Sequence, residues 1–497
     1  MKTLFLILLF ALPLQAQLST LEQIDVETMA GLREVERYQL KIAEKHYLKG
    51  EHKIALAEYE KFLTLYESSA AAPYAQLMWS HTQRKLKKLN TAIREGFQSV
   101  IDYWPESSEA VLASYLIADT YQAMGEVEKA EPAFLQTIND HPDEQLAVLS
   151  RVRLLEMART KGDKTKRLAL LQDLAFKVKR TEAANEYAVN ASRELASILL
   201  GEGKLSDARE ALATTYENDK LLAELHGLAM DPLQRLFEKE ETRDVGQSLA
   251  DTLIKLLEDA IPIDLTAEGA HEACVARLDR IASVFGRSGR PNEVLNTYER
   301  MLKLLGKSDG ILGRIANWYR HHEQRDKARE IYRQFDNQIA GLNEIAVMFR
   351  EEERWKEAID TFRELIELNP DGTNDYLMAI AECHEAAGEL KSAIGVYRQV
   401  DRYPLTYFRM ASCHRRLKEY SEALTLYRQC KTHTESGPDA FLQIGFTYEE
   451  AGKKENAIKA FQLTCKTHPK SHVASKAHSH LQSKYNISVT LGGAKEE

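Results

Sequence analysis

Apolar residues return every three or four positions along this chain. Tyr115, Ala118 and Tyr121 share one side of a helix, and Ala130, Phe134 and Ile138 share one side of the next. That spacing gives each helix a single apolar stripe to bury against a neighbour. No sustained stretch alternates with period two, so no sheet is predicted. Glycine falls between the paired helices at Gly125, Gly203, Gly289, Gly388 and Gly452, where the backbone is expected to turn through a left-handed conformation. Proline closes the second helix at Pro105, Pro142, Pro370 and Pro469, because the residue before a proline is pushed out of the helical region.

These marks recur in register. Gly125, Ala130, Phe134 and Pro142 are spaced five, four and eight residues apart, and so are Gly452, Ala457, Phe461 and Pro469. The small residue that opens the tight crossing of each second helix aligns as Ala55, Ile93, Ala130, Arg167 and Ala208, then Val294, Ala328, Ala358, Ala393, Ala423 and Ala457. The first five are 38, 37, 37 and 41 residues apart, and the last six are 34, 30, 35, 30 and 34 apart. An 86-residue gap separates the two series, with room for degenerate repeats around Gly246, Ala250 and Ile254. The fold class predicted is all-α, built by stacking helix pairs. Such an array grows by adding layers, which accommodates 497 residues without a Pro/Ser/Gly-rich linker.

The expected organisation is a leader at 1–16, an N-terminal subarray at 18–219, an irregular junction or degenerate repeat at 220–269, and a C-terminal subarray at 270–470. A capping helix at 471–485 and a flexible tail at 486–497 complete it. The junction is expected from Pro232, Pro262, Gly269 and the apolar segment 261–265.

Lys2 followed by the apolar run Leu4 to Leu14 has the form of a secretory signal cleaved near Ala16, and its eleven apolar positions fall short of the roughly 20 that span a bilayer. No cysteine near the cut could carry a lipid. The expected location is therefore exported, periplasmic in a bacterium. Sixty-six Lys and Arg against 75 Asp and Glu give a formal charge of −9, and loss of Lys2 with the leader makes it −10. Nucleic acid is thereby disfavoured as a partner, since it needs a concentrated basic face.

No catalytic constellation is found, and no cofactor or metal site is predicted. The chain has no H-E-x-x-H, G-x-S-x-G, phosphate-binding glycine loop or C-x-x-C pair. Cys383-His384 and Cys413-His414 repeat thirty residues apart, but adjacent residues on a helix point about 100° apart and do not converge on one ion. His46, His384 and His414 share one position of the repeat, so packing is their expected role. Cys383 and Cys413 are expected as buried free thiols, since equivalent residues on stacked helices lie roughly 8–10 Å apart and a disulfide needs Cα atoms at roughly 4.4–6.8 Å. His468 and His472 have ligand spacing, but Pro469 interrupts the turn between them. Asn486-Ile487-Ser488 has the form of a glycosylation acceptor, which matters only in a eukaryotic secretory route.

On these residues most of the mature chain resembles the tetratricopeptide repeat (TPR) superfamily. The resemblance implies a right-handed α-solenoid of about eleven to twelve helix-turn-helix repeats in two subarrays, acting by protein binding. Tyr103, Pro105, Ser107 and Ala110, and again Pro469, Ser471, Ala474 and Ala477, are similar to repeats of bacterial outer-membrane assembly lipoproteins and of the Tol–Pal coordinator. The serine in each run is expected to cap the following helix. The chain lacks the lipoproteins' acylated cysteine and the coordinator's N-terminal coiled coil.

The resemblance also implies that the first helix of each pair lines an inner, concave surface. Its outward positions correspond here to Arg287, Asn317, Arg320, His321, Asn343, Arg350, Asp375, Glu382, Glu385, Arg415, Arg416, Asp439, Glu449 and Glu450. The charges run in bands, basic from Arg287 to Arg350, acidic at Glu382, basic at Arg415 and acidic at Glu449. Two readings stay open: an extended polypeptide with complementary bands, or solvated residues paired with one another. The carboxylate clamp of chaperone-binding relatives needs a lysine where this chain has Gly313. The expected function is a non-enzymatic exported scaffold for protein partners of the cell envelope. Alternatives are an accessory of an energy-coupled inner-membrane or polysaccharide-export complex, and an enzyme with its site in 220–269.

Overall fold

A computed structural model describes residues 24–489; the leader at 1–16 and residues 490–497 of the tail lie outside the described residues. Among the described residues every regular element is helical. The chain forms two compact units, one made of the residues up to Ile261 together with Ser283–Arg290, the other of Pro262–Ala282 with the residues from Pro291 onward. The helix Ala270–Arg287 contributes to both.

Within the first unit, Glu34–Leu48 pairs with His52–Leu65, Ser108–Ala123 with Val127–Asp140, and Glu182–Gly201 with Leu205–Ala213. Within the second, the pairs include Asp309–His321 with Arg325–Tyr332, Gln338–Glu351 with Trp355–Leu368, Thr373–Ala386 with Leu390–Tyr397, Leu405–Arg416 with Tyr420–Cys430, and Gly437–Glu450 with Lys454–Thr467. Packing runs mainly between helices adjacent in sequence, so each layer is buttressed by its neighbours.

The predicted crossing residues explain that closeness. Ala55, Ala130, Ala208, Ala328, Ala358, Ala393, Ala423 and Ala457 are all fully buried. Their small side chains let the second helix of a pair sit against the first, and large rings fill the space between layers. Tyr332, Phe362 and Tyr376 do this in one cluster, and Phe461 in another, where it is joined by the aliphatic Leu481. Arg167 breaks the pattern: it is only half-buried and pairs with Glu194.

Helix ends follow local chemistry. The Ser107 and Ser471 hydroxyls accept from the amides of Ala110 and Ala474 at 3.2 and 3.1 Å, which satisfies free donors of each first turn. Gly125 and Gly452 turn at φ +77° and +75°. Lys87, Glu323, Glu353 and Lys418 adopt φ between 57° and 63° at corresponding turns of repeats that lack the glycine. Two second helices of the long-period repeats in the first unit carry a π segment, Ala92–Phe97 and Asp173–Lys177.

The 220–269 segment holds most of the helix Asn218–Glu238, with Pro232 buried inside it, and the helix Arg243–Asp259 packed against it. Helix His472–Tyr485 covers the last pair, and Asn486 ends it in a left-handed conformation. Beyond it Ile487 and Val489 pack on the terminal core, and the Val489 amide faces His478 Nδ1 at 3.4 Å.

Candidate partner-binding face

The first helices carry polar residues on the side away from their apolar stripes, and in the second unit most of the charges there are paired with the next layer. Arg320 donates to Glu344 at 3.3 Å and to Glu351. Arg350 reaches Glu382 at 3.4 Å, and Arg409 approaches Glu382 at 3.8 Å. Arg416 donates to Glu385 at 3.3 Å. Arg415 donates to Gln443 at 2.6 Å and lies 3.4 Å from Glu450. Glu449 accepts from Tyr485 and meets His480 at 3.1 Å and Lys484 at 3.3 Å.

A simple register underlies these contacts. Counting back from the crossing alanine of each pair, position −8 of one layer meets position −7 of the next. Arg320 thus meets Glu351, Glu385 meets Arg416, and Arg415 meets Glu450. Position −7 after Arg350 is Ala386, and Arg350 takes Glu382 instead, one turn earlier. The acidic and basic bands are therefore the two sides of one ladder. Comparable interlayer pairs occur in the first unit, where Arg84 donates to Asp119 at 2.7 Å and Arg193 lies 3.3 Å from Glu224.

Environment adjusts these groups. Burial opposes the charge on Arg320, but its bond to Glu351 together with the attraction of Glu351 and Glu344 outweighs that and raises its pKa. Burial likewise opposes ionisation of Glu449, and the hydrogen bonds from Tyr485, His480 and Lys484 overcome it and hold the carboxylate below its ordinary range. The remaining face residues are held differently. Asn317 accepts from the Tyr332 hydroxyl at 3.0 Å, and Asn343 donates to the Ile339 carbonyl of its own helix at 2.9 Å. Asp375 pairs with Arg402, and both Asp375 and Asp439 sit in first turns, where the helix dipole favours a carboxylate. Arg287 donates to Gln234 within the first unit, whereas the other thirteen lie in the second.

A polar cavity of about 450 Å³ opens among Asn317, Arg320, His321, Arg325 and Glu351. Three of these residues are on the predicted face; Arg325 and Glu351 are not, and neither are Glu344, Arg409, Gln443, His480, Lys484 and Tyr485. The sequence signal for Glu351, His480 and Lys484 is a group of opposite charge about one repeat length away.

The histidine and cysteine expectations divide. All five cysteines are buried and none is in a disulfide among the described residues, and burial pushes the Cys413 and Cys430 thiols up to about 11, so these two are not poised as nucleophiles. His46, His384 and His414 do more than fill space: each ring bonds through Nδ1 to the carboxylate five residues on, Glu51, Glu389 and Glu419, at 2.7 Å in the last two. The amide of each glutamate also donates to the histidine carbonyl. Side chain and backbone together clip the turn between the paired helices.

Residues 112–144, 405–433 and 439–471 match one tetratricopeptide repeat family pattern, and 344–406 match a second. These matches cover less than half of the chain and support its placement in the tetratricopeptide superfamily. Among solved structures, the TPR domain of P58(IPK) is 16% identical, covering 78% of this chain and 99% of its own with a TM-score of 0.21. A chain of the APC/C hetero-tetramer Cut9-Hcn1 is 12% identical, covering 90% and 97% with a TM-score of 0.24. No curated protein matches the sequence. No helix among the described residues is long and apolar enough to cross a membrane.

Proposed function

We propose that this chain is a non-enzymatic scaffold, exported to the bacterial envelope, that binds protein partners along the first-helix face of its second unit. The observation that carries the reading is the interlayer ladder from Arg320 to Glu449. It holds charged side chains at fixed intervals, so an extended polypeptide docks without the scaffold losing much side-chain freedom. Exposed pairs contribute about 0–1 kcal/mol each, so a partner with complementary charge can exchange into them at small cost. The leader at 1–16 supports export, and the tetratricopeptide matches support binding as the activity.

Crosslinking in intact cells followed by identification of the captured protein tests the partner. Arg320→Glu with Arg350→Glu should weaken capture of that protein and flatten its salt dependence. Capture unchanged by the double reversal, in a chain of unchanged helicity, refutes the face. Export is tested separately by fusing residues 1–20 to a phosphatase active only outside the cytoplasm; an inactive fusion refutes that part.

A further inference from the structure

The cavity beside Arg320 differs from the rest of the ladder in its surplus of donors. Arg320 is already held by Glu344 and Glu351. Arg325 is not: its recorded contact is Glu352 at 3.7 Å, and Glu352 accepts at closer range from Arg329. His321 is exposed and has no side-chain hydrogen bond among the described residues. The oxygen of Asn317, which lines the opening, is used by Tyr332, and its amide N–H groups remain as donors. Against these donors the lining offers one acceptor, Glu351, engaged by Arg320.

We propose that this cavity receives a side-chain carboxylate of an acidic segment in the extended partner, held by Arg325, His321 and the Asn317 amide. The proposal rests on the scaffold reading above and adds the chemistry of the anchor. A guanidinium presents two parallel N–H groups to a carboxylate, and an imidazole and an amide complete its lone pairs. The volume suits one side chain with its flanking backbone. The occupant is an internal residue of the partner, because paired layers continue on both sides of the cavity. Arg314 bonds Asp279 at 2.6–2.7 Å before it, and Arg350 pairs with Glu382 after it. A chain lying along the face therefore passes over the opening and does not end in it.

The test uses the full chain and fluorescein-labelled peptides followed by anisotropy at low and moderate salt. A C-terminally amidated hexaglutamate carries side-chain carboxylates only, and a free-acid hexaserine carries a terminal carboxylate only. Hexaglutamate should bind, hexaserine and hexalysine should not, and Arg325→Glu should cost at least tenfold in affinity. Arg325→Gln should cost severalfold, and it keeps the test valid where the reversal perturbs folding. Arg363→Glu, which alters an exposed residue away from the cavity, should leave binding unchanged. Equal loss from Arg363→Glu, no loss from either Arg325 variant, preference for hexaserine, or absence of hexaglutamate binding overturns the proposal. If the crosslinked partner still requires Arg320 and Arg350 while hexaglutamate fails to bind, the anchor falls and the scaffold stands.

Discussion

Gly395 and Gly445 are both helical, and replacing each by alanine should shift local stability in opposite directions. Gly445 lies in Gly437–Glu450, and a Cβ built there stands 2.4 Å from Cε1 and 2.6 Å from Cδ1 of Phe461. That ring is fully buried, with Phe446 at 5.1 Å and His480 at 4.9 Å between ring centroids, so it cannot retreat. Overpacking of this kind costs about 1–3 kcal/mol, and alanine's helix propensity returns at most about 1 kcal/mol. The net loss for Gly445→Ala should be about 1–2 kcal/mol. Gly395, in Leu390–Tyr397, has nothing within 4 Å of its built Cβ, so Gly395→Ala should gain about 0.5–1 kcal/mol. Long repeat arrays need not unfold in one step, so the readout is hydrogen exchange of amides in Lys454–Thr467 and Leu390–Tyr397. Protection of Lys454–Thr467 that rises or stays constant in Gly445→Ala would refute the packing described for Phe461.

Three further outcomes follow. Arg151 is 7% exposed, and its Nε and Nη1 have no hydrogen-bond partner among the described residues; burial depresses its pKa, and Arg151→Met should raise hydrogen-exchange protection of Gln145–Lys161 by removing a penalty of about 1–3 kcal/mol, with lower protection contradicting this. Glu449 has a folded pKa below its ordinary value of 4.5, so its contribution is complete above that value and disappears as pH falls through the folded pKa; proteolysis should release the terminal helix progressively below about pH 4.5, and Glu449→Gln should flatten that dependence. A double-mutant cycle on Arg329 and Glu352, whose side chains are 10% and 15% exposed, should give a coupling of about 1–2 kcal/mol, against about 0–1 kcal/mol for the exposed pair Arg363–Asp360; equal couplings would refute the difference in environment.

The fold was legible because its determinants are local. The buried alanines from Ala55 to Ala457, the left-handed glycines and the serine caps each follow from one residue and its immediate surroundings. Turns at Lys87, Glu323, Glu353 and Lys418 carry no glycine and are imposed by the helices they join, so residue type does not mark them. The face was legible as positions and only partly as chemistry. Arg320 and Glu382 were placed on exposed helix sides, but their partners are fixed by how far one layer rises above the next. Arg325 lies on a second helix and belongs to the cavity only after the turn at Glu323 folds it back.

The offset between successive first helices restricts how the array could lose a module. Excising Thr373–Tyr397 would set Arg350 opposite Arg416, two cations in the slots that pair elsewhere. Excising Leu405–Cys430 would oppose Glu385 to Glu450, and excising Gln338–Leu368 would leave Arg320 facing Ala386. Although the layers share one architecture, they are not interchangeable parts. A shortened descendant would need compensating charge reversals at the seam, so repeat number and charge sequence are inherited together.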